Sequence, residues 1–152
     1  MKPLLFILPL LLSACSHTEH PNSETRPVGR NTLSALALKT ARSGPVDFAE
    51  HIKPIFEAKC AMCHNRSALP GRMSLANKEQ AQATGTLGTF IIPGQPEQSL
   101  LANNLGAAHA SIKAMPPVGE RVTRDELSVL RKWIQEGADW PEGPSGEVAT
   151  SL

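Results

Sequence analysis

The chain has 152 residues, and 15 Lys and Arg against 14 Asp and Glu give it a formal net charge of +1 at pH 7. This balance gives no information about binding to nucleic acid or to an acidic substrate. Separately, we expect neither nucleic acid nor a small-molecule substrate as a partner. Aromatic residues make up 4% of the chain, which predicts a thin apolar core for a small domain.

The first 15 residues read as an export signal. Lys2 precedes an apolar run from Leu4 to Leu12, which is shorter than the roughly 20 residues that a membrane-spanning helix needs. The run ends at Leu12-Ser13-Ala14-Cys15, which resembles the bacterial lipobox, where the cysteine becomes the first residue and carries lipid. We predict a lipoprotein signal peptide over residues 1–15 and a lipid anchor at Cys15, with an ordinary signal peptide as the alternative.

The next segment, residues 16–44, is rich in Ser, Thr, Pro and Asn, a composition that predicts a flexible tether. Ser16 follows the lipobox where an Asp would favour retention at the inner membrane, so its presence slightly favours the outer membrane. Between Thr32 and Arg42, the three leucines Leu33, Leu36 and Leu38 fit a short helix. We place the folded domain at residues 45–142 and expect residues 143–152 to be a mobile tail.

The first helix of the domain is predicted to begin after Asp47, whose spacing from Glu50 suits an N-cap. Pro54 either bends this helix or opens a second one that runs into Cys60. His51 lies at the flank of the apolar face and is expected in solvent. That face consists of four residues at helical spacing: Phe48, Ile52, Ile55 and Phe56.

The stretch Cys60-Ala61-Met62-Cys63-His64 reads C-x-x-C-H, the attachment motif of a c-type haem. Two thiols at this spacing can each add to a haem vinyl group, and the next imidazole can then bind the iron. Zinc usually needs a second cysteine pair, but the remaining cysteine, Cys15, lies in the signal. A redox dithiol needs a βαβ setting, which the following residues do not indicate. We therefore predict one covalent haem c, attached at Cys60 and Cys63, with His64 as the proximal iron ligand.

Three further helices follow a loop-rich segment. A short one is predicted within Ser74 to Ala83, and a longer one from Pro96 to Asn104, with the proline at the first position. The clearest helix follows Thr123, where Thr-Arg-Asp-Glu forms a capping box, and it ends near Gly137. Its apolar stripe is made of Leu127, Leu130, Trp133 and Ile134.

A second functional stretch is Ala114-Met115-Pro116-Pro117. A methionine thioether is a common sixth ligand of electron-transfer haems and raises their potential. Pro116 favours an extended backbone at Met115, and Pro117 stiffens the chain beyond it. Met115 is the predicted distal iron ligand, with His109 or an open sixth position as the alternatives.

With these motifs in place, the chain resembles small class I cytochrome c domains of the type common in planctomycetes. Four segments carry the resemblance, in order: Pro54 to His64, Pro93 to Leu100, Met115 to Pro117 and Trp133 to Pro141. The resemblance implies an all-α haem domain of three to four helices, with the first and last helices packed together. It also implies Cys60 and Cys63 as haem attachments, His64 as the proximal ligand and Met115 as the distal one. Asn65 departs from the pattern, because the family often has Gly after the histidine.

The predicted function is electron transfer by a membrane-anchored, periplasmic c-type cytochrome that exchanges electrons with partner proteins. It is not expected to be an enzyme itself, although it could be a subunit or partner of a larger oxidoreductase. The rival hypothesis is a haem enzyme or ligand sensor with an open sixth coordination site. Five basic residues between Lys53 and Lys78 would either steer an acidic partner or form an ordinary solvated face.

Overall fold

A computed structural model of the protein describes residues 29–106 and 115–150. The helices in order are α1 (Ala35–Ser43), a π-helical turn (Phe48–Ile52), α2 (Lys53–Lys59), α3 (Lys78–Ala83), α4 (Leu100–Gly106) and α5 (Arg124–Gln135). Shorter turns span Pro70–Arg72, Thr86–Phe90 and Gly143–Ser145. No β-strand occurs in these two described ranges, and the predicted all-α class is confirmed.

An aromatic cluster joins the first helical segment of the predicted domain to the last. The rings of Phe48 and Trp140 stack with centroids 4.8 Å apart, and Phe56 meets Trp133 edge to face at 5.9 Å. All four side chains are at most 3% exposed, so the few aromatic residues of the chain are concentrated where the helices cross. The expected packing of first against last helix is therefore present.

Capping residues set where the helices begin. Asp47 accepts a hydrogen bond from the backbone N–H of Glu50 at 2.8 Å, as its spacing predicts. Pro54 lies in the first turn of α2, which continues the π-helical turn without a break, because Ile52 and Lys53 both keep right-handed helical backbone angles. At α5, Thr123 and Glu126 form the predicted capping box.

The helix predicted from Pro96 begins later, at Leu100. Backbone N–H groups of Gln98 and Ser99 close turns onto Gln95 and Pro96 instead of starting a helix. The Ser99 hydroxyl also accepts from the N–H of Ile92 at 2.9 Å, which ties this turn to the preceding segment. Pro96 thus belongs to a turn before the helix. The hydrogen bond to the Ser99 side chain gives the backbone there an alternative to helical hydrogen bonding.

The tether prediction is wrong for residues 33–44, which are folded against the domain. Helix α1 is capped by Ser34, and Leu38 is buried. Lys132 of α5 donates to the carbonyl of Ala41 at 2.8 Å. His51 is also not solvated as predicted, because it is 2% exposed and contacts α1. The domain therefore starts before its predicted boundary at Pro45.

The predicted mobile tail is also wrong for residues 143–149. Trp140 donates its indole N–H to the carbonyl of Gly146 at 2.9 Å. Further along, the backbone N–H of Val148 donates to the carbonyl of Ala76 at 2.9 Å. This segment is therefore a strap across the domain, held mainly by backbone groups that a composition-based prediction does not consider.

Within residues 29–106 and 115–150, no helix combines the length and apolarity needed to cross a bilayer. The predicted signal peptide, Cys15 and the first part of the tether lie outside the described residues.

Candidate functional site

A cavity of about 540 Å³ lies between the end of α2, helix α4 and the segment after residue 114. It brings together the predicted site residues Cys60, Cys63, His64 and Met115, although Met115 is distant from the others in sequence. Its apolar walls include Met73, Leu75, Phe90, Leu101, Leu105 and Val118. The volume falls within the roughly 300–1,000 Å³ of cavities that hold small molecules and cofactors.

The C-x-x-C-H stretch forms a tight turn at the end of α2. The backbone N–H of His64 donates to the carbonyl of Cys60 at 2.9 Å. Asn65 supports this turn, because its side-chain amide donates to the carbonyl of Ala61 at 2.9 Å. Its side-chain oxygen accepts from the N–H of Ala68 at 2.8 Å. The residue that departs from the family pattern therefore holds the turn closed on both sides.

The imidazole of His64 is held through Nδ1, which lies 3.3 Å from the carbonyl oxygen of Met73. Since a carbonyl can only accept, Nδ1 carries the proton and Nε2 keeps the lone pair that binds a metal. Burial lowers the pKa of His64, and the hydrogen bond to the Met73 carbonyl opposes this in part. The ring is accordingly neutral at pH 7, the form in which histidine is a metal ligand.

The two thiols of the motif are free in the described structure and are partly buried. Burial raises the pKa of the Cys60 thiol to about 12, and the nearby Lys59 ammonium only partly offsets this. The thiol is thus protonated and uncharged at neutral pH. An uncharged sulfur is compatible with the apolar walls around it.

Met115 is far from the C-x-x-C-H motif in the sequence, but it lines the same cavity. Its backbone N–H donates to the carbonyl of Asn104 at 3.2 Å, which fixes it to α4. His109, the alternative distal ligand, lies outside the described residues.

The donor set and the walls of the cavity fit haem c. Two thiols, a neutral imidazole with a free Nε2 and a thioether border a cavity with mainly apolar side chains. These are the groups that thioether attachment and His/Met ligation require. Elsewhere in residues 29–106 and 115–150, no group of three or more His, Cys, Asp or Glu is arranged to hold a metal ion.

The basic residues around the cavity do not form one free surface. The side chain of Lys59 is 1% exposed and pairs with Glu126. Arg66 pairs with Glu147 at 3.2 Å, and Lys53 donates to a backbone carbonyl at 3.2 Å. Internal partners thus hold three of the five basic residues that the sequence grouped together.

Sequence reasoning missed the pairing of Lys59 with Glu126. The sequence pattern places Glu126 in the helix cap and Lys59 in the basic group between Lys53 and Lys78. The pair joins positions far apart in the chain, and no local spacing signals such a contact. The one sequence feature that could have indicated the pair is the position of Lys59, in the last turn of a helix whose other face is buried in the core.

Comparisons with known proteins point to one family. Residues 60–119 match the family described as planctomycete cytochrome C. The chain is also similar to hydrazine synthase subunit alpha of Kuenenia stuttgartiensis, with 26% identity over 147 residues. That similarity covers 78% of this chain and 18% of the relative, so the chain spans less than a fifth of the relative's length. No solved structure matches.

The family match begins at Cys60 and includes the C-x-x-C-H motif and Met115. Cytochromes c of this family imply haem c as cofactor and are typically extracytoplasmic. The predicted resemblance is confirmed: residues 60–119 match the family described as planctomycete cytochrome C.

Proposed function

We propose that the protein is a one-electron carrier, a monohaem cytochrome c tethered by lipid on the periplasmic side of a bacterial membrane. The main support is the cavity on which Cys60, Cys63, His64 and Met115 meet. The family match over the same residues agrees with this proposal. Its partners are other redox proteins, which it would meet at the membrane surface.

In this proposal, Cys60 and Cys63 would attach the haem by thioethers, and His64 and Met115 would bind its iron. When bound, haem c supplies an iron that alternates between the ferrous and ferric states. The hydrogen bond from Nδ1 of His64 to the Met73 carbonyl holds the ring in one tautomer and strengthens Nε2 as a donor. A methionine sulfur as second ligand favours the reduced state and raises the potential.

The apolar walls of the cavity have a separate role, which is to keep water from the cofactor. Leu75 is fully buried, and Leu101 and Met73 are at most 6% exposed. A dry, low-dielectric site shifts the potential and reduces the rearrangement of surroundings when one electron is gained or lost. The chain thus contributes geometry and exclusion of solvent, while no group in the cavity is needed to move a proton.

A spectroscopic redox titration of the purified protein tests this function. We expect a far-red charge-transfer band from sulfur to ferric iron, a reversible one-electron transition and a pigment that acidified ketone does not extract. The Met115→Leu variant should lose the band and titrate at a lower potential, whereas His109→Leu should keep both. A colourless protein, or extractable pigment, would refute the assignment.

A second candidate function follows from the similarity to an enzyme subunit. Here the domain would be a haem module of an oxidoreductase, with an open sixth position for a ligand. This hypothesis predicts a high-spin ferric spectrum that changes on addition of carbon monoxide to the reduced protein or peroxide to the oxidised one. A low-spin spectrum unaffected by either reagent would leave electron transfer as the function.

The lipid anchor is proposed at Cys15, by the lipobox pattern alone. In an expressing bacterium, the full chain should sediment with the membrane fraction, and Cys15→Ser should move the coloured protein to the periplasmic extract. Mass spectrometry of the processed N-terminus gives the direct test. An unmodified cysteine there would refute the anchor but leave the haem assignment untouched.

A further inference from the structure

A fully buried ion pair lies beside the cavity. Nζ of Lys59 is 2.6 Å from Oε2 of Glu126, and their side chains are 1% and 0% exposed. Lys59 directly precedes Cys60, and it is itself one of the residues that line the cavity. The pair therefore lies next to a predicted attachment site of the cofactor.

The lysine uses its three donors on three different parts of the chain. Besides Glu126, Nζ donates to the carbonyl of Arg30 at 2.8 Å and to the carbonyl of Arg121 at 2.9 Å. An ammonium group has three N–H donors and no acceptor, so its hydrogen-bonding capacity is fully used.

The carboxylate is also well satisfied. Oε1 of Glu126 accepts from the backbone N–H of Thr32 at 2.6 Å, and Oε2 accepts from that of Thr123 at 2.8 Å. These bonds connect the N-terminal segment and the start of α5 to the same centre. Among the described residues, no buried side-chain nitrogen or oxygen lacks a hydrogen-bond partner.

The connection to Arg121 matters most for the cavity. Residues 115–120 form one wall of the cavity, and Arg121 directly follows them. The wall is thus fixed at one end by the bond from Met115 to Asn104, and at the other by the bond from Lys59 to Arg121. Lys59 itself belongs to the helix that ends at the cysteine motif.

Stability alone is a weak explanation for this arrangement. Replacing a buried ion pair with apolar residues of similar volume is often neutral or stabilising, because the charges lose their hydration. An apolar pair would fill the same space but would release the carbonyls of Arg30 and Arg121. Holding those carbonyls is the distinct property of the pair.

We propose that the Lys59–Glu126 pair positions Met115 as the distal ligand, by locking the 115–122 segment to the helix that carries the haem-attachment motif. This inference rests on the proposed function, since it requires Met115 to bind the iron. Lys59 and Glu126 act here as positioning residues and touch no iron ligand themselves.

The test compares holoprotein variants by the far-red sulfur-to-iron band and by the reduction potential. Lys59→Met removes the anchor and leaves Glu126 unpaired. The double variant Lys59→Met with Glu126→Leu removes the anchor without leaving a buried charge, so it is the variant that folds if the single one does not. We expect both to keep attached pigment and helical circular dichroism, with the band lost or weakened several-fold and the potential lowered.

The matched control is Lys132→Met. Lys132 also donates to two backbone carbonyls, those of Ala41 and Gly44, and pairs with Glu136 at 3.3 Å. These hydrogen bonds join α5 to α1 and to the residue after it, not to residues 115–122. This variant should lower the thermal midpoint of helicity while retaining the band at wild-type intensity.

The outcomes separate the two levels of the proposal. A wild-type protein without the band would overturn His/Met ligation itself. Suppose instead that the wild type shows the band, and that the double variant and Lys132→Met both keep the band and the potential. In that case ligation by Met115 stands, and the positioning role of the ion pair is refuted. Loss of the band in the double variant, with helicity intact, supports the positioning role.

Discussion

Nε2 of His51 lies 3.0 Å from Oγ1 of Thr40, and this contact joins α1 to the π-helical turn before α2. Nδ1 of the same ring accepts from the backbone N–H of Asp47 at 2.9 Å. The proton is therefore on Nε2, which donates to the threonine hydroxyl. Both nitrogens of a buried imidazole are thus used to attach an N-terminal helix to the domain.

This contact predicts the effect of Thr40→Val, which keeps the shape of the side chain but removes the acceptor. The buried N–H of His51 then loses its partner, at a cost of about 1–3 kcal/mol. Chemical denaturation of the holoprotein, followed by circular dichroism, gives the change in free energy of unfolding. The same substitution at the exposed Thr89 serves as control and should have an effect below about 0.5 kcal/mol. Equal stability of the two variants would contradict this role of His51.

The sequence predicted the parts of the fold that depend on local patterns. The capping box at Thr123, the N-cap at Asp47 and the proline in the first turn of α2 each involve residues within one helical turn. The motif at residues 60–64 and Met115 were likewise identified from short stretches, and the structure places both on one cavity.

The errors concern contacts between distant parts of the chain. The composition of residues 16–44 resembles a tether, yet Leu38 finds a buried position because α5 supplies the facing surface. The helical pattern places His51 at the edge of the apolar face, but α1 covers this side chain in the folded chain. Lys59 reads as a surface charge until Glu126 lies beside it. Each of these environments is created by tertiary packing, which local patterns do not encode.

The strap of residues 143–149 gives a second prediction. Ending the chain after Glu142 removes the hydrogen bonds from Trp140 to Gly146, from Val148 to Ala76 and from Ala149 to Glu57. At about 0.5–1.5 kcal/mol each, we expect a loss of about 2–4 kcal/mol in the free energy of unfolding. Removing residues 151–152 alone is the control. A mobile tail, as composition suggested, would make the two truncations indistinguishable.

The buried carboxylate predicts how stability depends on pH. Burial raises the pKa of Glu126, but the hydrogen bonds from Lys59, Thr123 and Thr32 and the charge of Lys59 outweigh burial, so the net shift is downward. A carboxyl whose pKa is lower in the folded state stabilises the protein above the unfolded-state value, near 4.5. This stabilisation is lost as the pH falls through the folded-state pKa.

Glu126→Gln tests the sign of this effect. It leaves the Lys59 charge buried and unpaired, so at pH 7 it should cost about 3–5 kcal/mol of stability. The difference from wild type should shrink as the pH falls below 4.5, because the carboxyl is then protonated in the unfolded state, which lowers the stability of the wild type until the folded-state carboxyl is neutral too. Urea midpoints measured between pH 7 and pH 3 give the comparison, with Glu142→Gln at an exposed site as control. A difference that stays constant across this range would show that the charge of Glu126 is not the cause.

The size of the cavity predicts that folding depends on the cofactor. Unfilled core volume lowers the free energy of unfolding by about 24 cal/mol per Å³. An empty cavity of about 540 Å³ would therefore cost on the order of 10 kcal/mol. This figure is an upper bound, because water can enter the cavity. This is comparable to the whole stability of a typical domain, about 5–15 kcal/mol. The double variant Cys60→Ala with Cys63→Ala, which cannot form thioethers, should therefore show reduced helicity and a broad, low-temperature transition. Circular dichroism of this variant and of the holoprotein makes the comparison, and an apoprotein that melts close to the holoprotein would contradict the prediction.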